Sequence, residues 1–370
     1  MSKKLLKNNR GIAILIVITI ITLLMAVAIE LNRKVRTAVM LTGTNRDNLT
    51  LFYMASSGIH AAIAILIKDK GESEFDSLLE DWANPSKIEE VLSTMNFENG
   101  KVTFKITDEM SKIQVNALAD PPEGKNFNEP QKAMWDRCIR LIVSKNEVLK
   151  NADVDITGII NCVKDWIDKD DIITGLNGAE SEYYKGLTPP YSPRNAPILY
   201  LEELKLIKEF REEFFLIGEK SISNYMTVYG IASDDKKEDK KEGPPPPPDD
   251  DEKKKGVKYD GKININTVDL PVLIAMVPSE NIDIARSIYD YRQEAAKNID
   301  FSNPTWYKNA PGATDIVIDP KIITTSSNYF AIESTATIGQ MKTTLNAVVK
   351  REKDKKTDKI KCNILFLKVE

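Results

Sequence analysis

The residues best suited to chemistry in this chain crowd into one acidic loop. Asp168, Asp170, Asp171, Asn177, Glu180 and Glu182 lie within a single short stretch. Hard cations such as Ca2+ take roughly six to eight oxygens from carboxylates, amide side chains and backbone carbonyls, and this loop supplies those donor types. It is not an EF-hand. Counted from Asp168, Ile173 stands where a calcium loop needs its glycine, and Ala179 where it needs its last glutamate. Spacing alone leaves a solvated acidic loop ahead of a metal site. Asp165 and Asp168 could share acid-base work, but nothing around them signals a cleft. His60 is the only histidine and sits on a helical segment, which argues against a His-based triad or a zinc site. Cys138, Cys162 and Cys362 form no CxxC pair and no metal-ligand set, and three buried apolar thiols explain them better than a disulfide framework. A net charge of -4 and a pI near 5.5 argue against a nucleic-acid binder.

A second junction carries processing chemistry. Arg10-Gly11 precede an apolar run, Ile12 to Ile29, with Lys3, Lys4, Lys7 and Arg10 on one flank and Glu30 on the other. As a helix this run reaches about 27 Å, close to a hydrocarbon core of ~30 Å. The cation bias keeps the short tail in the cytoplasm and exports everything after Glu30. Three readings compete. A secretory signal would end near Met25-Ala26-Val27-Ala28, which only weakly permits cleavage. A plain membrane anchor is always available. A prepilin-type leader is cut between Gly11 and Ile12, so the helix stays on the mature protein, and the short basic leader resembles that class.

The elements that position these residues follow in order. Residues 1–11 are the leader, and 12–68 form one helix, with 12–29 in the membrane and an amphipathic second half on a stripe of Leu49, Phe52, Ile59, Ile63 and Leu66. A bend near Gly43 is expected. Residues 69–118 hold a short helix, Pro85 to Met95, and a hairpin of strands 101–107 and 111–116. Helices dominate 119–222, over Gln131 to Val143, Val154 to Ile167 and Tyr200 to Ile207. Residues 223–232 hold a strand, Tyr225 to Tyr229. Residues 233–261 are charged and carry the run Pro244 to Pro248, a composition that cannot bury a core. Residues 262–325 form a second helical module, in which Asn266-Thr267 cap a helix from Val268 to Met276 and a second runs from Ile282 to Ala296. That pair has the outline of a helix-hairpin-helix, but its hairpin Val277-Pro278-Ser279-Glu280-Asn281 lacks the glycines that expose N–H groups to a phosphate. Strands close the chain over 326–370. The fold class is α+β: a pilin-like long N-terminal helix on a small antiparallel sheet, with a large inserted helical domain.

Specific stretches then carry a family resemblance. Asp165-Trp166 to Asp168 and Asp170, Gly178-Ala179-Glu180, Tyr183-Tyr184, Tyr191, Asn195, Pro197 and Glu202-Glu203-Leu204 resemble the GspK family, the protein K minor pseudopilins of type II secretion systems. Asp108-Glu109 to Asn116-Ala117, Lys262 to Thr267, Ser327 to Phe330 and Arg351 are similar to further parts of that family, and only the Pro-rich insert departs. The resemblance implies calcium in the helical domain, which moves Ca2+ ahead for the loop Asp168 to Glu182. It implies other minor pseudopilins (proteins I, J and H), the prepilin peptidase, the inner-membrane assembly platform and membrane lipid as partners, and no nucleic acid. It implies a single-pass inner-membrane protein with its body in the periplasm, initiating and capping the pseudopilus. Ile16, fifth from the expected cut, stands where most pilin-like subunits carry Glu, and it marks a tip position. The alternatives are a minor pilin of a type IV pilus or DNA-uptake system, or a membrane-anchored periplasmic enzyme, which the residue inventory disfavours.

Overall fold

The computed structural model describes residues 10–120, 124–215, 221–231, 258–354 and 357–370. The leader up to residue 9 and nearly all of the Pro-rich segment lie outside the described residues. The first element is α1, Arg10–Glu72, followed by α2, Pro85–Thr94, and strand β1, Lys101–Asp108. Two short strands come next, β2 at Ile113–Gln114 and, after the helical domain, β3 at Met226–Thr227. Between them lie α3 at Glu129–Lys145, α4 at Glu147–Lys150, α5 at Ile156–Ile167 and α6 at Ser181–Lys185. Strand β4 at Ile263–Asn264 leads to α7, Leu270–Met276, and α8, Ile282–Glu294. The last strands are β5 at Ile323–Thr324, β6 at Tyr329–Ile338, β7 at Met341–Lys353 and β8 at Ile360–Val369.

The main sheet is antiparallel in the order β1-β6-β7-β8. Gly339, in the left-handed region, makes the β6-β7 turn, where a side chain would strain the backbone. The expected hairpin of residues 101–116 does not form. Backbone at Glu109–Ser111 turns into a 3-10 helix, and β2 leaves the sheet to pair in parallel with β3. The strand expected at 225–229 therefore belongs to a separate two-stranded ladder, not to the main sheet. The neighbour of β1 is β6, far away in sequence, because the alternating apolar face of β1 (Val102, Phe104, Ile106) needs the same helix that covers Phe330 and Ile332.

Helix α1 runs unbroken past Gly43. Its sheet-facing stripe is Leu51, Met54, Ala55, Gly58, Ile59, Ala62, Ile65 and Leu66. This stripe is rotated from the expected one. Ile59 and Leu66 are central, Phe52 and Ile63 flank, and Leu49 is exposed. Small residues set the rotation: a Cβ on Gly58 would collide with Ser334 of β6 and Val102 of β1, so only glycine lets helix and sheet meet there. At the end of this contact Arg351 of β7, 1% exposed, reaches Asp69 at 2.9 Å, Asp76, the Leu66 carbonyl and the Ser327 carbonyl.

A second, larger core belongs to the helices, with Met134, Trp135, Cys138 and Ile142 of α3 against Ile159, Ile160 and Val163 of α5 and Leu273 of α7. Cys138 and Cys162 are both buried free thiols. A buried polar hub joins the two cores. Asn264 donates to the Asp76 carbonyl, to Asp108 and to Ser327, while Asn266 receives Trp306 Nε1 at 2.8 Å and donates to the Phe301 carbonyl. Asn266-Thr267 thus do not cap α7. Its N-cap is Asp269, without a side-chain bond, because both residues are already committed to this hub.

Candidate functional site

The acidic loop closes on itself at the C-terminal end of α5. Asp155 starts α5 by accepting the Gly158 N–H at 2.9 Å, and the apolar face of the helix buries Ile159, Ile160, Val163 and Trp166. Burying that face carries Asp165 and the C-cap residue Asp168 into the interior, at 0% and 1% exposure. The carbonyl end of a helix favours positive charge, so these carboxylates sit in a field that already calls for a cation. The loop returns over them, with Thr174 N–H and Ala179 N–H donating to Asp165 at 3.1 and 2.8 Å. Gly178 makes this approach feasible, since a Cβ there would strike Asp165. Glu180, the residue before α6, then faces both carboxylates.

Carboxylate oxygens of Asp165, Asp168 and Glu180 lie within 4.8 Å of one another, all three residues buried. Lys164 Nζ is the cation at hand, 2.7 Å from Asp168 Oδ2 and 3.1 Å from Thr174 Oγ1. It satisfies one carboxylate oxygen of the cluster, Asp168 Oδ2. Asp168 Oδ1, both Glu180 oxygens and Asn195 Oδ1 are buried without a hydrogen-bond partner. Burial, then the charges of Asp165, Asp168, Asp171 and Asp170, push the Glu180 carboxyl up to about 8. Burial also drives Asp168 up to about 6 and raises Asp165. Buried polar atoms are nearly always paired, so three orphan oxygens on Asp168 and Glu180 within one carboxylate cluster fit a hard cation with oxygen ligands.

Of the residues expected as ligands, the structure brings together Asp168 and Glu180. Asp170 and Asp171 stand beside them, accepting the Ile172 and Ser181 N–H groups respectively. Asn177 turns its amide to Asp155, outside the cluster, and Glu182 is exposed. Asp165 and Asn195 were missing from the expected set. Asp165 precedes Asp168 by one helical turn, a spacing that puts both on one face. Asn195 had no local signal, because it reaches the site through a left-handed backbone conformation and a hydrogen bond to the Asp170 carbonyl.

At the other end of the molecule, the whole stretch from Gly11 to Met40 is solvent-exposed along α1. An 18-residue window near its start has a mean hydropathy of 3.2 and is wholly unburied, long and apolar enough to cross a membrane. Ile16 is 53% exposed on this segment. Nothing lies within 4 Å of a Cβ built on Gly11, so packing does not demand a glycine there.

Residues 111–225 match the family model described as type II secretion system (T2SS), protein K. A type II secretion system protein K from Aeromonas hydrophila is 23% identical over 361 residues, 95% of each chain. One from Klebsiella pneumoniae is 27% identical over 201 residues, 54% of this chain and 58% of its own. In fold, the chain is similar to a chain of the crystal structure of the GspK-GspI-GspJ complex from the enterotoxigenic Escherichia coli type 2 secretion system. The TM-score is 0.60 at 15% identity, covering 89% of this chain and 99% of that one. The matched domain, the relatives aligned over nearly the whole chain and the shared fold together make this chain similar to the protein K proteins of type II secretion systems.

Proposed function

We propose that this chain initiates and caps the tip of a periplasmic pseudopilus, a mechanical rather than a catalytic role. The observation that carries the reading is the insertion between neighbouring strands. β1 and β6 are paired in the sheet, yet residues 109–328 intervene between them in the chain, and the described elements among them build a second body beside the pilin-like one. Bulk in that position would obstruct a further subunit stacked above. Ile16 supports the same assignment. A glutamate there would pair with the amino terminus of an earlier subunit, whereas a charge without such a partner is costly in lipid. The body would lie in the periplasm and α1 would span the inner membrane once. Partners under this reading are the other minor pseudopilins, proteins I, J and H, of which I and J share the crystal of the structural relative. The prepilin peptidase would cut between Gly11 and Ile12, and the inner-membrane platform would drive assembly.

We further propose Ca2+ as a structural ion of the helical body. Asp165, Asp168 and Glu180 would hold it, with Asn195, Asp170 and Asp171 close enough to complete or screen the site. The ion would supply charge neutralisation only, and the protein's part is to hold the loop from Asp168 to Glu180 closed on α5.

The tip assignment is tested by immunogold or cryo-electron microscopy of assembled pseudopili. Label confined to one end supports it, and label spread along the shaft refutes it. N-terminal sequencing of membrane-extracted protein should begin at Ile12, whereas a start after Ala28 would mean an ordinary signal peptide.

A further inference from the structure

Just beyond the apolar segment, α1 carries Arg33, Lys34 and Arg36, all exposed. Arg33 is paired with Glu30 at 3.2 Å at the surface. Lys34 and Arg36 have no ion-pair partner among the described residues. The three side chains cover about half of the helix circumference at 3.6 residues per turn, so they form a collar and not a stripe. Their height is fixed because α1 is continuous: at ~1.5 Å per residue, Arg33 and Arg36 stand about 6 and 10 Å above Ile29. The polar headgroup layer extends roughly 5–8 Å beyond each side of the hydrocarbon core. Long basic side chains reach back toward the layer they flank. The body does not cover the collar, since the first buried residue of α1 is Leu51, about 22 Å beyond Arg36.

We infer that Arg33, Lys34 and Arg36 are a binding surface for anionic phospholipid headgroups in the leaflet that faces the globular body. The chemistry is phosphodiester recognition, by two guanidinium forks and one ammonium at headgroup depth. The inference rests on the reading that residues 12–29 span a bilayer. Its consequence is positional. Once the chain is cut between Gly11 and Ile12 the basic leader is gone, and this collar is the cationic group that limits how far the helix can sink, since moving inward takes its cations out of their headgroup layer and into hydrocarbon.

The test uses the full chain in lipid nanodiscs of equimolar phosphatidylglycerol and phosphatidylcholine, with retained lipid measured by native mass spectrometry. Each basic side chain near an anionic surface is worth about fivefold in affinity. The wild type should retain phosphatidylglycerol at least tenfold over phosphatidylcholine. The variant Arg33→Gln/Lys34→Gln/Arg36→Gln should cut that preference to the residue contributed by the leader, at least a fivefold loss. Neutralising Lys3, Lys4, Lys7 and Arg10 instead should leave the collar's share intact. An unchanged preference in the collar variant overturns the inference. Alkaline carbonate extraction of the same protein from vesicles separates the two readings. A chain that washes off refutes the span itself, and a chain that stays embedded with an unchanged lipid preference refutes only the collar.

Discussion

Replacing Arg351 with methionine should damage this protein more than almost any other single change. The side chain is 1% exposed and its partners Asp69 and Asp76 are 5% and 0% exposed, so no water can take over its role. Methionine keeps much of the volume, so the loss is electrostatic: two buried carboxylates and two carbonyls, of Leu66 and Ser327, lose their donor. Removing one partner of such a buried pair costs about 3–5 kcal/mol. The cost should depend on pH, with a definite sign. Burial, then the neighbouring Glu80 and Asp76, hold the Asp69 carboxyl up at about 7, and Arg351 opposes them. A carboxyl whose folded value lies above its unfolded value contributes stability that is present below about 4 and is lost as pH rises through about 7. Without Arg351 the folded value climbs further. The variant should therefore lose about 3 kcal/mol at pH 5, where Asp69 is protonated, and about 5 kcal/mol at pH 8. At a few degrees per kcal/mol that is a fall in Tm of about 10 °C at pH 8 and visibly less at pH 5. Thermal unfolding of the detergent-solubilised chain, followed by circular dichroism, reads both. Adding Asp69→Asn and Asp76→Asn should recover most of the loss, because the orphaned charges are gone. A fall equal at both pH values, or under ~1 kcal/mol, would refute this account of how β7 is fastened to α1.

Three further outcomes are expected. Chelator should lower the Tm of the wild type, and the gap between chelated and Ca2+-loaded protein should widen from pH 5 to pH 8, because Glu180 near 8 and Asp168 near 6 release protons across that window; Glu180→Gln should shrink the gap, and an unchanged Tm in chelator would leave the loop a plain acidic surface. Gly58→Val should cost about 1–3 kcal/mol in denaturant melts by forcing α1 off Ser334 and Val102, with Gly71→Val, whose Cβ position is open, as the control that stays near wild type. Asn266→Leu should cost about 2–4 kcal/mol, since Trp306 Nε1 and the Phe301 carbonyl both lose their partner, and Trp306 fluorescence should shift with it.

Some features needed only the chain's local pattern. The apolar run from Ile12, the amphipathic continuation of the same helix, the alternating strands at 101–107 and 329–369, and the helices at 131–143 and 154–167 follow from periodicities of 3.6 and 2, which the backbone imposes on any sequence. Asp168 and Glu180 were legible too, because carboxylates crowd together there against their mutual repulsion. Pairing and direction belonged to the tertiary structure. β1 has the pattern of a strand whoever its neighbour is, and the choice of β6 over the adjacent 111–116 was made by the helix face that both must cover. The rotation of α1 was set by Ala55, Gly58 and Ala62, whose value is the close approach they allow and not their hydrophobicity. The metal candidates sorted the same way. A carboxylate's availability depends on whether a backbone N–H or a lysine already occupies it, and only the folded loop shows Asn177 turned to Asp155 and Asn195 brought in beside Asp170. Asn264, Asn266 and Arg351 look like ordinary polar residues in the chain, and became the joint between two cores only when burial removed water as a partner.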